Sequence, residues 1–193
     1  MLKKSIEISG QTLTIETGRM AKQASGSVLV TYGETVVLVA STANQGIEPN
    51  RGFFPLTIDY REKFYASGKI PGGFFRREQR PSEKEIIGCR LTDRPLRPLF
   101  PKGFYNETQV FISVLSFDGE NNGDILGTIG ASASLAISDI PWDGPVASVK
   151  VGRVNGELII NPTNTVMEES DLSIIISGTK DSVVMVEGEA DFI

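Results

Sequence analysis

The chain has 193 residues, 40% of them hydrophobic, so it can bury one core or two tightly fused lobes. Its 19 basic and 24 acidic residues give a formal net charge of −5. It contains no histidine, which excludes serine–histidine and cysteine–histidine nucleophilic schemes and removes the commonest general base and metal ligand. Any catalysis has to use carboxylates, lysine, arginine, hydroxyl groups or a metal ion.

Cysteine usage and the amino terminus predict the compartment. The single cysteine, Cys89, cannot form an internal disulfide or a thiolate zinc cluster, so we interpret it as a core residue in a reducing compartment. Glu7 and Gly10 interrupt the amino-terminal sequence, so it contains no apolar region of the length that a signal peptide needs. No stretch approaches a membrane span. We therefore expect a cytoplasmic protein without a membrane partner.

Strand patterns dominate the first third of the chain. Alternating or apolar runs separated by turns predict strands at 11–17, 27–32, 35–43 and 56–60. The first three form an antiparallel meander. Residues 65–80 then show no periodicity and much glycine, which predicts a long loop, and unstructured connections of this length inside compact domains are often functional.

A helix is predicted to follow this loop. Ser82 and Glu85 fit a capping box, with Ser82 as the N-cap. Pro95 should end or bend the helix near Arg94. The apolar stripe predicted to face the core consists of Ile86, Ile87 and Leu91.

The second half continues with strands and one more helix. Strands are predicted at 109–116, 146–154, 157–160, 171–178 and 183–188, and a helix at 125–138. The core face of that helix is predicted to hold Ile125, Leu126, Ile129, Ala133, Ala136 and Ile137. Asn155 and Gly156 give the strongest short hairpin signal. Antiparallel runs interrupted by two helices predict an α+β fold with the helices on one sheet face.

Positive charge is concentrated between Arg61 and Lys102, which holds 11 of the basic residues and only 5 of the acidic ones. Such asymmetry is typical of a polyanion-binding face. Within it, Phe74, Phe75, Arg76 and Arg77 follow a glycine-rich stretch; aromatic rings stack on bases while arginines neutralise phosphates. This predicts a phosphate or single-stranded RNA ligand. The alternative is a loop with two core phenylalanines and solvated charges.

Three further arginines are candidates for binding phosphate. Arg90 and Arg94 lie one helical turn apart, so both guanidinium groups can project from one face. Arg97 follows between two prolines, and a stiff segment loses less entropy on binding an anion. A solvated helix end, whose cations are favoured by the helix dipole, remains the alternative.

Four motifs together resemble the polynucleotide phosphorylase family. They are residues 72–78 (GGFFRRE), 80–86 (RPSEKEI), 90–100 (RLTDRPLRPLF) and 186–188 (VEG). The resemblance covers essentially the whole chain and is to the first of the two ribonuclease PH-like cores of that family. It implies a ribonuclease PH-like fold of the ribosomal-protein-S5-domain-2-like βαβα type, with mostly antiparallel or mixed sheets. We expect residues 1–193 to form one such core, cut short at its carboxyl-terminal end.

The resemblance also implies an activity. The family degrades RNA from 3′ to 5′ by phosphorolysis, reversibly releasing nucleoside diphosphates, with inorganic phosphate as co-substrate and Mg²⁺ as cofactor. Its members form trimeric rings with a central channel, so the implied partners are single-stranded RNA, two further copies and RNA-degradation complexes. Phe74 and Phe75 would line the ring aperture, and Arg76, Arg77 and Arg80 would contact RNA phosphates.

This chain departs from a catalytic core at one turn. Catalytic cores present a glycine- and serine-rich turn to phosphate at a helix N-terminus, where this chain has residues 121–125 (NNGDI). Asp124 would cap the helix itself, repel phosphate and occupy the same donors. The acids at 168–171 (EESD) are interpreted as a solvated turn rather than a metal site.

We therefore expect a non-catalytic core that grips RNA and shapes the ring, with phosphorolysis and Mg²⁺ in a second core. No catalytic or metal-binding residue is assigned in this chain. The alternative function is a stand-alone, non-catalytic RNA-binding ring subunit of exosome type.

Overall fold

The computed structural model describes residues 1–46, 52–72, 78 and 80–190. A six-stranded sheet contains the amino-terminal strands in the order β1-β2-β3-β4-β6-β5. Their bounds are β1 Leu2–Ile8, β2 Gln11–Thr17, β3 Gly26–Tyr32, β4 Thr35–Ala43, β5 Leu56–Glu62 and β6 Thr108–Ser116. All neighbours are antiparallel except β5 and β6, which are parallel because a helical crossover joins them.

A second, four-stranded antiparallel sheet follows in the order β10-β9-β7-β8. It is built from β7 Ala147–Val154, β8 Glu157–Ile160, β9 Leu172–Gly178 and β10 Val183–Ala190. The helices are α1 Glu83–Leu96, α2 Gly123–Ala136 and the short α3 Asn164–Met167. Helix α2 packs on β3 and β4 and also contacts β7, while α1 packs on β5 and reaches β10. The two long helices therefore form a layer between the sheets.

The predicted turns and strands are confirmed. The meander pairs Leu13 with Tyr32 and Val30 with Val37 in antiparallel register. Asn155 and Gly156 both have positive φ, which a two-residue type I′ hairpin requires. The predicted α+β class is therefore observed, with both long helices on one face of the larger sheet.

Helix α1 begins as predicted but turns a different face inward. The Oγ atom of Ser82 accepts from the Glu85 amide, and the Glu85 carboxylate accepts from the Ser82 amide. The predicted apolar stripe is wrong at two positions, since Ile86 and Ile87 are 48% and 55% exposed. Glu85 is buried instead, because its second carboxylate oxygen accepts from the Glu62 amide at 2.9 Å. The burial of Glu85 is possible because both oxygens are paired.

The end of α1 also differs from its prediction. The helix continues through Pro95 to Leu96, and a 3₁₀ turn at Arg97–Leu99 follows. Cys89 is half-buried and packs against the core, where its Sγ accepts from the Tyr60 amide at 3.2 Å. Its interpretation as a core residue agrees with this position.

Glycines of helix α2 face the larger sheet and allow close contact with it. A Cβ atom added at Gly130 would lie 2.5 Å from Cγ2 of Val39, and one at Gly127 would lie 2.8 Å from Cγ2 of Ile112. The predicted core face is correct for Ile125 and Leu126 but wrong for Ala136 and Ile137, which are exposed at the end of the helix. Glycines, not only aliphatic residues, therefore define the contact between α2 and the sheet.

The outer face of the second sheet, away from the helices, is aliphatic. Met185, Ser177 and Ser148 share one buried cross-strand row, so the next row faces outward. The outward side chains are Val149, Val151, Leu158, Ile160, Leu172, Ile174, Ile176 and Val186. Leu158 and Val186 are 67% and 56% exposed. Contiguous exposed apolar surface of this kind marks a contact site on many proteins.

Replacing Gly130 with alanine is expected to lower the free energy of unfolding. Overpacking a core typically costs about 1–3 kcal/mol, which outweighs the ~1 kcal/mol by which alanine is favoured over glycine in a helix. Urea denaturation of the single variant measures the change. In a double variant with Val39→Ala, the two effects should couple by at least about 0.5 kcal/mol, because the truncation removes the clashing methyl. Simple additivity would contradict this packing explanation.

Candidate nucleic-acid interface

The predicted RNA-binding loop starts at the carboxyl end of β5. A 3₁₀ turn at Phe64–Ser67 is closed by Gly68, whose φ of 66° suits glycine. The Glu78 carboxylate accepts from the Phe64 amide at 2.6 Å and forms an ion pair with Lys63 at 3.1 Å. The amide of Phe64 lowers the pKa of Glu78, so this anchor stays ionised. The loop therefore leaves and rejoins the fold at one place.

Of the residues predicted to grip RNA, only Arg80 lies in the described part of the chain. Phe74, Phe75, Arg76 and Arg77 lie outside the described residues. Arg80 is exposed just before the capping box of α1. Its side chain is therefore accessible to a ligand held at the loop.

Two of the candidate phosphate-binding arginines project from α1. Arg90 is exposed. Arg94 forms an ion pair with Glu187 of β10, so its guanidinium group joins α1 to the second sheet. Both partners are about half exposed, and exposed pairs of this kind contribute little to stability. Arg94 thus already has an internal anionic partner.

The guanidinium group of Arg97 is hydrogen-bonded within the fold. Its Nε and Nη2 atoms donate to the two oxygens of Asp93 at 2.9 and 2.7 Å. Its Nη1 donates to the carbonyl of Phe54, and Nη2 donates also to that of Leu56. Four of the five N–H groups of a guanidinium are thereby used. The structure supports a role in fixing the end of α1 to the start of β5, and phosphate binding by Arg97 stays a prediction.

The turn before α2 is filled by the Asp118 carboxylate. Its Oδ1 accepts from the amides of Glu120 and Asn121 at 2.9 and 2.8 Å, and its Oδ2 accepts from the Glu34 amide and from Nδ2 of Asn121. Burial raises the pKa of Asp118, but the hydrogen bonds from Asn121 and Glu120 outweigh it and lower the pKa to about 2. A fixed negative charge therefore occupies the turn where a phosphate would need donors.

Asp124 adds a second carboxyl group in the first turn of α2. The N-cap is Asn122, not Asp124, and its Nδ2 donates to Oδ1 of Asn164 instead of capping the helix. The Asp124 carboxylate accepts from the Ile125 amide at 2.7 Å. Burial raises the pKa of Asp124 above its usual range, while the Ile125 amide, Lys84 and Lys150 oppose this shift. The expectation that Asp124 occupies a first-turn donor therefore agrees with the geometry, although its position as N-cap does not.

The carboxylates offer no metal centre within the described ranges. Across residues 1–46, 52–72, 78 and 80–190, no group of three or more Asp, Glu or Cys side chains is placed to hold a metal ion. Asp171, in the predicted acidic turn, is engaged by a bidentate contact from Arg153. The described acidic side chains thus form no cluster that would hold Mg²⁺ on the protein alone.

Two family comparisons agree with this architecture. Residues 9–141 match the 3′ exoribonuclease family, domain 1, and residues 144–193 match domain 2 of the same family. The first range spans strands β2 to β6 of the larger sheet and both long helices, and the second spans the smaller sheet. The chain therefore belongs to the 3′ exoribonuclease family.

Within that family, the chain is similar to curated proteins that share the name of one enzyme. The chain is 60% identical over 190 residues to the polyribonucleotide nucleotidyltransferase of Thermomicrobium roseum, covering 98% of this chain and 24% of the relative. It is 58% identical over 187 residues to that of Heliobacterium modesticaldum, covering 97% and 26%. The chain thus spans about a quarter of the length of the curated relatives it matches. The resemblance inferred from the four motifs is confirmed.

The fold is also found in a solved structure of low sequence similarity. Rice (Oryza sativa) Rrp46 superposes with a TM-score of 0.72 at 14% identity, covering 97% of this chain and 83% of that one. At this identity the likeness shows the fold alone. The predicted ribonuclease PH-like class is confirmed by the family match and by this superposition. No helix in the described part of the chain is long and apolar enough to cross a membrane.

Sequence reasoning missed the partners of the arginines. Asp93 lies four residues before Arg97, a spacing that brings side chains together on a helix, and this signal was available. Glu187 is 93 positions from Arg94, and only the packing of β10 against α1 brings them together. Local spacing therefore finds one partner and cannot find the other.

The two acidic side chains near the start of α2 predict opposite pH effects on stability. Asp124 binds its proton more tightly in the folded state, so its contribution is lost as pH rises from about 3.9, the ordinary carboxyl value, through its raised pKa. Asp124→Asn should therefore gain stability relative to the parent between pH 4 and pH 7. Asp118, whose pKa is about 2, stabilises the folded state fully above about pH 3.9. This stabilisation is lost as pH falls through about 2.

Asp118→Asn is the matched control: its loss of stability relative to the parent should stay constant between pH 4 and pH 7 and should shrink only as pH falls from about 3.9 towards 2. Urea unfolding at several pH values measures both differences. A difference for Asp124→Asn that stays constant with pH would contradict the raised pKa.

Proposed function

We propose that this chain is the first ribonuclease PH-like core of a polyribonucleotide nucleotidyltransferase that shortens RNA from its 3′ end by phosphorolysis. The observation that carries the proposal is 54–60% identity to enzymes of that name over nearly the whole chain. Residues 1–193 would form this core as one unit, since the two long helices contact both sheets.

The chemistry of phosphorolysis suits the composition of the chain. An oxygen of inorganic phosphate attacks the terminal phosphorus of the RNA, the bond from that phosphorus to the preceding 3′ oxygen breaks, and a nucleoside diphosphate leaves. The shortened RNA keeps a 3′ hydroxyl group, and the reverse reaction extends it. The nucleophile is already ionised at neutral pH, so the protein has to position two anions and needs no histidine or other protein nucleophile.

Within this enzyme, the present core would be non-catalytic. A phosphate near the start of α2 would meet the carboxyl groups of Asp118 and Asp124, which already accept the local amide donors. Arg94 is paired with Glu187, and most donors of Arg97 are used within the fold. We therefore assign phosphate and Mg²⁺, which the activity requires, to a second core of the longer enzyme.

The role of this core would be to hold single-stranded RNA. Phe74 and Phe75 would stack on bases and Arg76, Arg77 and Arg80 would neutralise phosphates. The exposure of Arg80 and the anchoring of the loop by Glu78 support this assignment. Arg90, exposed on α1, would extend the positive surface.

Assembly into a homotrimer, and contacts with other RNA-degrading proteins, belong to the same proposal. The aliphatic outer face of the second sheet supports a protein contact, since large exposed apolar areas are uncommon on monomers.

A cytoplasmic location is proposed from the single reduced cysteine. The alternative of a stand-alone ring subunit of exosome type is not favoured, because the chain is 60% and 56% identical to two polyribonucleotide nucleotidyltransferases.

Replacing Arg76 and Arg77 together with alanine should weaken RNA binding and reduce its dependence on salt. Each phosphate neutralised on a single strand contributes about 0.7 to the slope of log affinity against log salt, so the slope should fall by about 1.4. Fluorescence anisotropy with a labelled oligoadenylate at several salt concentrations measures it.

Two controls separate charge from stacking and from position. Lys3→Ala with Lys4→Ala removes the same charge from β1, at the opposite edge of the larger sheet from β5, and should leave the slope unchanged. Phe74→Ala with Phe75→Ala should weaken binding without changing the slope. An unchanged slope for the arginine variant would argue against phosphate contacts at this loop.

Phosphorolysis itself should require more than these 193 residues. Phosphate-dependent release of nucleoside diphosphate from a short RNA with Mg²⁺ is measured for this chain and for the protein encoded by its whole reading frame. We expect release only by the latter, because Asp118 and Asp124 block the equivalent phosphate position. Release by the 193-residue chain would overturn the non-catalytic assignment.

A further inference from the structure

A groove lies beyond the carboxyl ends of β5 and β6, the two parallel strands. Its free volume is about 200 Å³. Its walls include Glu62, Lys63, Phe64, Lys69, Val114 and Phe117. The ends of parallel strands, where the chain diverges into two helices, are a recurrent place for ligands. The groove is distinct from the turn before α2 and from the arginines of α1.

The floor and rim of the groove are aromatic. Phe117 is half-buried and packs against the core, and Phe64 is 47% exposed. The Phe117 amide donates to the carbonyl of Ala66 at 2.9 Å, which ties the end of β6 to the 3₁₀ turn carrying Phe64. The turn and the strand end are thus held together around the opening. Two aromatic side chains at a preformed opening suit a flat, apolar ligand face.

The charge around the groove suits a nucleotide better than a bare anion. Lys84 lies 5.8 Å from the centroid of the Phe117 ring and pairs with Glu62 at 3.0 Å. Lys63 is paired with Glu78, whereas Lys69 is exposed and forms no ion pair with any described residue. The carboxylate of Glu62 in the wall disfavours a phosphate inside the groove, while Lys69 at its rim is available to one outside.

The groove also adjoins the loop that carries the RNA-binding assignment. The Lys69 amide donates to the Phe64 carbonyl at 3.0 Å, and the Glu78 carboxylate accepts from the Phe64 amide. Residues 69 and 78 therefore both meet the fold at Phe64. An RNA strand at the groove would therefore lie next to both ends of this loop.

We propose that this groove is an additional nucleotide subsite, in which an unpaired RNA base stacks against Phe64 and Phe117 while Lys69 contacts the adjoining phosphate. The subsite rests on the proposed RNA-binding function and extends it by one nucleotide beyond the loop. A single base is smaller than the drug-sized ligands held by pockets of roughly 300–1,000 Å³, so it suits a groove of this size.

Substitution at the rim tests the subsite in the 193-residue chain. Phe64→Ala should weaken oligoadenylate binding at least about fivefold, the lower end of the effect of losing one base stack, without changing the salt slope. Lys69→Ala should weaken binding and lower the slope by about 0.7. Phe53→Ala and Lys4→Ala are matched controls, because both residues are exposed, Phe53 precedes β5 at its opposite end, and Lys4 lies on β1 at the opposite edge of the larger sheet. Neither control should change affinity.

Photocrosslinking gives a second readout that needs no variant. Oligouridylate containing 5-iodouridine is irradiated on the parent chain and digested with trypsin. Cleavage after Lys63, Lys69 and Arg76 places Phe64 and the paired phenylalanines Phe74 and Phe75 on separate peptides, 64–69 and 70–76. The subsite predicts crosslinks on peptide 64–69.

The outcomes separate the two proposals. If the parent chain binds RNA but Phe64→Ala behaves like Phe53→Ala and only peptide 70–76 is crosslinked, the subsite is wrong and the RNA-binding loop stands. If the parent chain binds no oligonucleotide, both fail. A normal thermal unfolding curve for Phe64→Ala assigns lost affinity to the groove.

Discussion

Tyr60 lies where the two long helices meet the larger sheet, and its fully buried ring sets their spacing. A Cβ atom at Gly88 of α1 would approach the ring to 2.8 Å, and one at Gly123 of α2 would approach its hydroxyl oxygen to the same distance. Glycine at both positions lets the helices close over the tyrosine. Its hydroxyl group donates to Glu62 at 2.5 Å, and burial raises its pKa. Glu62 is thereby held between the starts of both helices, beside the aromatic groove.

Carboxylates occupy the helix starts that surround this tyrosine. Glu85 accepts from the amides of Ser82 and Glu62, and Asp118 and Asp124 accept from amides at the start of α2. Helix N-termini favour anions, and here the protein supplies the anions itself. A free phosphate at these helix starts would have to displace a charged side chain, whereas Arg80 and Arg90 are exposed. This distribution supports the proposal that the core holds RNA and does not cleave it.

The two family domains form one structural unit. Their boundary falls between residues 141 and 144, yet contacts cross it at several places. The Val146 amide donates to Oγ of Ser132 in α2, and Arg94 of α1 reaches Glu187 of β10. Because the helix layer contacts both sheets, the aliphatic face left exposed is the outer face of the smaller sheet.

The sequence by itself determined strands β2 to β10, both long helices, the capping box and the hairpin, because these follow from periodicity and turn chemistry within a few residues. Strand β1 was not predicted, and it pairs with β2 in the structure. It also determined the charge asymmetry and the family motifs. Tertiary structure alone decided which helix faces are buried. Ile86 and Ile87 face solvent while Glu85 is buried, since the Glu62 amide supplies a partner that no local pattern contains. Tertiary structure also gave the two arginines different partners. Arg97 donates to the carbonyls of Phe54 and Leu56 at the start of β5, whereas Arg94 pairs with Glu187 of β10. Local spacing specifies elements, whereas partners distant in sequence specify the chemistry of each side chain.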